Sequence, residues 1–224
     1  MTPAAGVRRD GRWLFVHLGA PHRLASWAIV GGGLRRADTV AWLRVCDADL
    51  RPPVDARRYL ADQLASAGCS GAVGLLTSRD LDAYVEHAVA YQDVRARCIT
   101  TVGLGNALRA GDPPGASARI GTINTLCQLS TPLTDNALLE ALALAAEARA
   151  LVVREAGVAS QRSGLPASGT GTDCIVIAAP DRPRGAAYAG KHTAIGHVIG
   201  ASVHDATRRG VAAWQDERAR SLGR

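Results

Sequence analysis

Lysine is almost missing from this chain of 224 residues: Lys191 stands alone, so arginine supplies nearly all of the 26 basic side chains against 20 acidic ones. The formal charge of +6 invites a polyanion, yet aromatics are also scarce, with one phenylalanine, four tryptophans and four tyrosines. A single-stranded nucleic acid needs rings to stack on as well as cations. Basic runs interleaved with aromatics do not occur, so no nucleic-acid partner is expected. No apolar run approaches the ~20 residues that span a bilayer. The first residues carry arginines without the apolar stretch and small-residue cleavage site of an export signal. A cytoplasmic location and no membrane association are therefore expected. Cys46, Cys69, Cys98, Cys127 and Cys174 form no CxxC and no close pair, which disfavours a disulfide framework and structural zinc; each reads as a small buried hydrophobe. A GxSxG elbow, an HExxH pair and the Lys-Ser/Thr ending of a phosphate loop are absent, which sets aside three common enzyme chemistries.

What remains is an ordinary globular balance, 47% hydrophobic and 21% charged, enough for a sizeable core in one domain spanning 1–224. Residues 13–19 (WLFVHLG) read as a strand, and 24–30 with 39–45 as a strand pair joined by Gly31-Gly32-Gly33. A helix is expected over 55–67 after Pro52-Pro53, with Tyr59, Leu60 and Leu64 on one face. Strands follow at 72–76, 96–102 and 120–129, while 80–90 fits either helix or strand. The clearest element is a helix at 135–156, capped by Thr134 and stopped at Gly157. Its apolar residues leave only a polar stripe of Glu140, Glu147 and Arg154, so it should pack on two sides. A buried strand at 174–179 and a final helix at about 194–214 complete the chain. Strand pairs without intervening helices exclude a purely parallel sheet. The pattern predicts an α+β or mixed α/β single domain, with a mixed, largely antiparallel sheet packed by a long central helix and a C-terminal helix.

Glycine gathers with polar residues in loops at 31–36, 103–111, 121–124 and 163–173, and YAGKHT (188–193) precedes the last helix. Glycine exposes backbone N–H groups that can hold an anion or an oxyanion, although turn geometry alone also demands it. Asp173 could orient a histidine, activate water or cap backbone. His192 is a candidate proton shuttle, and Glu147, on so apolar a helix, a candidate acid or base. Hydroxyl nucleophiles are available at Thr122, Ser163, Thr170 and Thr172, each needing a base in reach. Asn106 and Asn124 could bind a carbonyl. His192 and His197 with Asp173 or Glu147 make only a weak ligand set, so no metal is expected.

The ordered series GGGLRRA (31–37), GLGNALRAG (103–111), GTINT (121–125), AAEARALVVREAGV (145–158), SGLPASGTGTD (163–173) and YAGKHTAIGHVIGASVHDA (188–206) resembles adenosylcobinamide amidohydrolases of the CbiZ type, over about 24–206. The resemblance implies hydrolysis of the amide joining an aminopropanol arm to a corrinoid side chain, giving adenosylcobyric acid in a salvage route, with no cofactor. It implies a site in which Asp173, His192 and Glu147 meet Asn106 and Asn124. Asp173 or Glu147 would activate water or a hydroxyl, with Thr172 the alternative nucleophile. Arg35, Gly121, Thr122, Gly169, Thr170, Gly171 and Thr193 would line the substrate, a small-molecule amide. This chain departs from the pattern at Val30, Arg149, Cys174 and His197. Those departures leave room for another amide, lactam closure or noncatalytic corrinoid binding, and a homo-oligomer stays open.

Overall fold

The computed structural model describes residues 5–115 and 120–223. In chain order the elements are β1 (Gly6–Asp10), β2 (Trp13–Ser26), β3 (Gly33–Arg44), α1 (Ala56–Ser66), β4 (Val73–Thr77), β5 (Val85–Tyr91), β6 (Val94–Val102), β7 (Ala107–Leu108), β8 (Ile123–Leu129), α2 (Asp135–Glu155), β9 (Gly169–Thr170), β10 (Cys174–Pro180) and α3 (Ala194–Leu222).

Alternating side chains explain the first hairpin. Leu14 and Val16 point to one face of β2 and Phe15 to the other, and all three are buried, so this strand is covered on both sides. β2 continues through Gly19 and Pro21, where the two readings at 13–19 and 24–30 expected a break. The register against β3 shifts between His17 and His22, and this irregularity accommodates both residues without ending the strand. β1, which pairs antiparallel with the first half of β2, carries too few apolar residues to announce itself. The ambiguous segment at 80–90 resolves into a 3-10 turn, Leu81–Ala83, followed by β5.

The main sheet runs β4-β3-β2-β10-β8-β6-β5, with β1 beside β2. Among the described strands, β3 with β4 and β8 with β10 pair parallel; the other strand pairings are antiparallel, as the pattern predicted. One face of β6, β8 and β10 supports α2 and α3 through Ala96, Cys98, Cys127, Ile175 and Ile177. At the other end of the sheet, α1 lays Leu60 and Leu64 on Phe15, Ala41 and Leu43. The remaining faces close on each other: Leu14, Val16, Trp42 and Leu75 share one buried cluster with Ile99, Leu126 and Val176. The sheet is therefore bent into two apposed halves between helical layers. Asn124 on β8 bridges them, its Nδ2 donating to the Leu76 carbonyl of β4 at 2.7 Å.

The helix ends follow their caps. Asp55 accepts from the Arg58 amide at 2.6 Å, Thr134 from Ala137 at 3.3 Å and Thr193 from Gly196 at 2.9 Å, each satisfying an otherwise orphaned N–H. α2 packs on the sheet and on α3 as its apolar sides require, while Leu139 and Leu151 stay about half exposed. α3 extends past the expected end at 214 to Leu222, held in part by Arg79 of the β4–β5 connection, which pairs with Glu217.

Candidate active site

β8 and β10 lie side by side and parallel, so both begin at the same end of the sandwich. The sequences just before them, Gly121-Thr122 and Thr172-Asp173, therefore meet. A short ladder between β7 and β9 brings the 103–111 loop alongside the 163–173 loop. Together with the ends of β3 and β4 they enclose a cavity of about 600 Å³. Asn106, Gly121, Thr122, Asn124, Thr172 and Asp173 form one polar side, and Asp47, Arg51, Thr77 and Ser78 add polar groups across from the apolar surface of Trp27, Ile29, Val45, Leu50, Leu75 and Ile120. Thr122 donates to the Thr172 carbonyl at 2.9 Å and Thr172 to the Gly121 carbonyl at 3.1 Å. These reciprocal bonds leave both hydroxyl oxygens able to accept a further bond.

Asp173 organises this end of the molecule. Its side chain is 5% exposed and pairs with Arg149 of α2. It also accepts from the Ile123 and Thr170 amides, both at 2.8 Å, and from the Thr170 hydroxyl at 2.5 Å. Burial pushes its carboxyl up from the ordinary range, while the Arg149 charge and the Thr170 and Ile123 donors oppose that shift. All four contacts are donors, which suit the charged form. The glycine loops do cradle an anion, but that anion is the protein's own carboxylate. At Gly169 a Cβ would stand 2.2 Å from Asp173 Oδ2, so glycine is required there by the carboxylate rather than by a ligand.

The expected convergence of five residues is only partly realised. Asn106, Asn124 and Asp173 share the cavity with Gly121, Thr122 and Thr172. Glu147, His192 and Thr193 do not: they line a separate, more open hollow between α2 and the 188–193 segment. The reason is topological. α2 runs back along β10, so its C-terminal half, with Arg149, meets Asp173, whereas His192 follows β10 at the opposite end, near Glu140. There Glu147 pairs with Lys191 at 2.5 Å, both more than half exposed. Thr193 caps α3, and Gly196 is needed because a Cβ would lie 2.1 Å from the Gly190 carbonyl. The YAGKHT segment is thus a helix-start clamp. Arg35 also lies outside the cavity, donating to the Gly71 carbonyl at 3.1 Å. Gly169, Thr170 and Gly171 stand behind Asp173 rather than on the cavity wall. His197 stacks edge-on against Tyr91, away from Asp173. Ser163 lies outside the cavity wall as well.

Sequence reasoning missed Trp27, Cys46, Asp47, Arg51 and Ile120, which also line the cavity. Trp27 is held by its indole N–H, which donates to the Asp173 carbonyl at 2.6 Å. Its rarity in so aromatic-poor a chain was the only available signal. Cys46 is exposed and Cys69 half-buried, contrary to expectation, while Cys98, Cys127 and Cys174 are buried as read. Burial pushes the Cys174 thiol up to about 11, so it is no thiolate nucleophile at neutral pH.

A family model described as adenosylcobinamide amidohydrolase matches residues 3–219. The chain belongs to that family. The adenosylcobinamide amidohydrolase of Halobacterium salinarum (strain ATCC 700922 / JCM 11081 / NRC-1), a curated relative, is 32% identical over 199 residues, 82% of this chain and 79% of its own length. Among solved structures, a Pyrococcus horikoshii OT3 protein has a similar fold at TM-score 0.50 and 8% identity, over 95% of this chain and 82% of that one. A Burkholderia β-aminopeptidase aligns at TM-score 0.48 with 11% identity over 95% and 82% of the two chains. An Ochrobactrum anthropi L-aminopeptidase D-Ala-esterase/amidase aligns at 0.43 with 12% identity over 92% and 80%. Among the described residues, no helix is long and apolar enough to cross a membrane.

Proposed function

We propose that the cavity at the start of β8 and β10 hydrolyses the aminopropanol amide of adenosylcobinamide, and that the chain forms one amidohydrolase domain. The observation that carries this reading is the convergence of Asn106, Thr122, Asn124 and Thr172 in one largely apolar cavity, in a member of a family named for that reaction. Few polar groups on an apolar wall are what orients a small part of a large ligand. Hydrolysis forms a bond from water oxygen to the acyl carbon, breaks the C–N bond and delivers a proton to the leaving amine. The Thr122 and Thr172 hydroxyls already give their protons to backbone carbonyls and touch no base, so water is the better nucleophile. Of the two carboxylates on the cavity wall, Asp173 is engaged by four donors and acts as a positioning residue. Asp47 has no hydrogen bond or ion pair among the described residues and is the candidate acceptor of the water proton. The free thiols fit a reducing compartment, and we place the protein in the cytoplasm.

The test is incubation of the purified protein with adenosylcobinamide, with products followed by mass spectrometry. Adenosylcobyric acid and aminopropanol should appear, and Asp47→Asn should slow their release by ~100-fold or more, within the range of acid–base catalysis. Absence of product from the wild-type protein overturns the reading of the reaction; full turnover by Asp47→Asn overturns only the assignment of the base.

A further inference from the structure

Breaking an amide takes more than a base. As water adds, the carbonyl oxygen receives the electron pair of the C=O bond, and donors aimed at that oxygen lower the barrier. The backbone groups read from sequence as its holders are occupied, since the Ile123 and Thr170 amides donate to Asp173. On the cavity wall, Thr122 and Thr172 donate to backbone carbonyls, and Asn124 Nδ2 donates to Leu76. Arg51 differs from all of these. Among the described residues that line the cavity it is the only cation; it is exposed, and its guanidinium has no hydrogen bond or ion pair among the described residues. The turn before it is tied down. Asp49, within the 3-10 turn Asp47–Leu50, accepts from the Cys46 amide at 2.7 Å and the Tyr59 hydroxyl at 3.3 Å, and pairs with Arg12 at 2.5 Å. Asp49 thus engages Arg12, while Asp47 and Arg51, at the start and just past the end of the turn, line the cavity unpaired.

We infer that Arg51 is a further catalytic residue, whose guanidinium binds the acyl oxygen of the scissile amide as that oxygen becomes negative. This rests on the amide-hydrolysis reading. The aminopropanol amide is neutral along its length, so the arm brings no anion of its own to Arg51. Cleavage creates one, at a single place. Water oxygen bonds to the acyl carbon and gives one proton to Asp47, while the C=O pair moves onto the oxygen beside Arg51. When the C=O bond re-forms, the C–N pair leaves with the amine and takes the proton from Asp47. The acid so formed loses its remaining proton at neutral pH, and its carboxylate matches the guanidinium fork. Exposure leaves Arg51 hydrated while the cavity is empty. A macrocycle seated on the apolar wall displaces that water and strengthens the attraction.

Arg51→Gln should lower kcat for adenosylcobinamide by ~100-fold or more with KM within ~threefold, the mark of an interaction made in the transition state. Arg51→Lys, which keeps the charge without the fork, should fall between the two. Unchanged kcat in Arg51→Gln, or a change confined to KM, overturns the assignment. Calorimetry gives a second readout that needs no turnover. The wild type should bind adenosylcobyric acid ~tenfold more tightly than its uncharged methyl ester, and Arg51→Gln should bind the two alike. Equal wild-type affinities, or a preference that survives Arg51→Gln, overturns the assignment as well. If Arg51→Gln fails to fold by circular dichroism, the wild-type preference decides alone. If the wild type hydrolyses no adenosylcobinamide, the reaction reading has failed, and the calorimetric comparison alone judges whether Arg51 holds a carboxylate.

Discussion

Asp173 holds four segments at once, because its two oxygens join α2, β8 and the 163–173 loop to the start of β10. Asp173→Asn replaces an acceptor by a group that is half donor, facing two amide N–H groups and a buried guanidinium. Removing one partner of a buried pair costs about 3–5 kcal/mol, and urea denaturation should show a loss of that order. Pairing it with Arg149→Met should recover part of the loss, since no uncompensated charge then remains. Gly169→Ala should act on the same contact, forcing the carboxylate away from its donors. At pH 8, iodoacetamide should label Cys46 first and spare Cys98, Cys127 and Cys174, whose thiols burial pushes up; peptide mass mapping reads this directly.

The two long helices carry features that resemble a site without lining the cavity at the start of β8 and β10. The hollow holding Glu147 and His192 lies on the outer side of α2, and its residues serve the start of α3. Thr193→Ala removes an N-cap and should cost about 1 kcal/mol of stability, while kcat/KM for adenosylcobinamide stays within ~twofold, too small a change for any interaction made in the transition state. His192→Ala should leave turnover equally intact. A steady-state assay beside a melting curve separates the two effects, and a large fall in kcat for His192→Ala would reunite the hollows that the fold keeps apart.

Across the whole molecule, stability should depend on pH through His22, which sits where β2 changes register. Its ring nitrogens lie 2.8 Å from the Ala20 carbonyl and 3.3 Å from Gln128 Nε2. With Nδ1–H donating to the carbonyl, Nε2 accepts from Gln128, which is the neutral form. Burial, the largest influence, holds its pKa below the usual 6.5. The unfolded chain therefore takes up a proton near pH 6.5 that the folded chain refuses until lower pH. Stability contributed by neutral His22 is complete above that value and declines as pH falls below it. Tm should drop between pH 7.5 and 5.5, and His22→Gln should flatten that part of the profile.

Short-range chemistry was enough to place α1, α2, β4, β6 and β10 to within a few residues, because periodicity, the Thr134 cap and glycine stops act over neighbouring positions. It also carried the order of motifs that marks the family. It could not show that Asp173 pairs with Arg149, 24 residues away, or that Asn106 keeps an unpaired oxygen. Nor could it show that Arg149 reaches Asp173 while Glu147, two positions before it on the same helix, lines a separate hollow. Those outcomes depend on β10 inserting between β2 and β8 and on the sheet bending onto itself. Both join segments far apart in the chain, and their pairing is decided by the burial of whole faces rather than by any local signal.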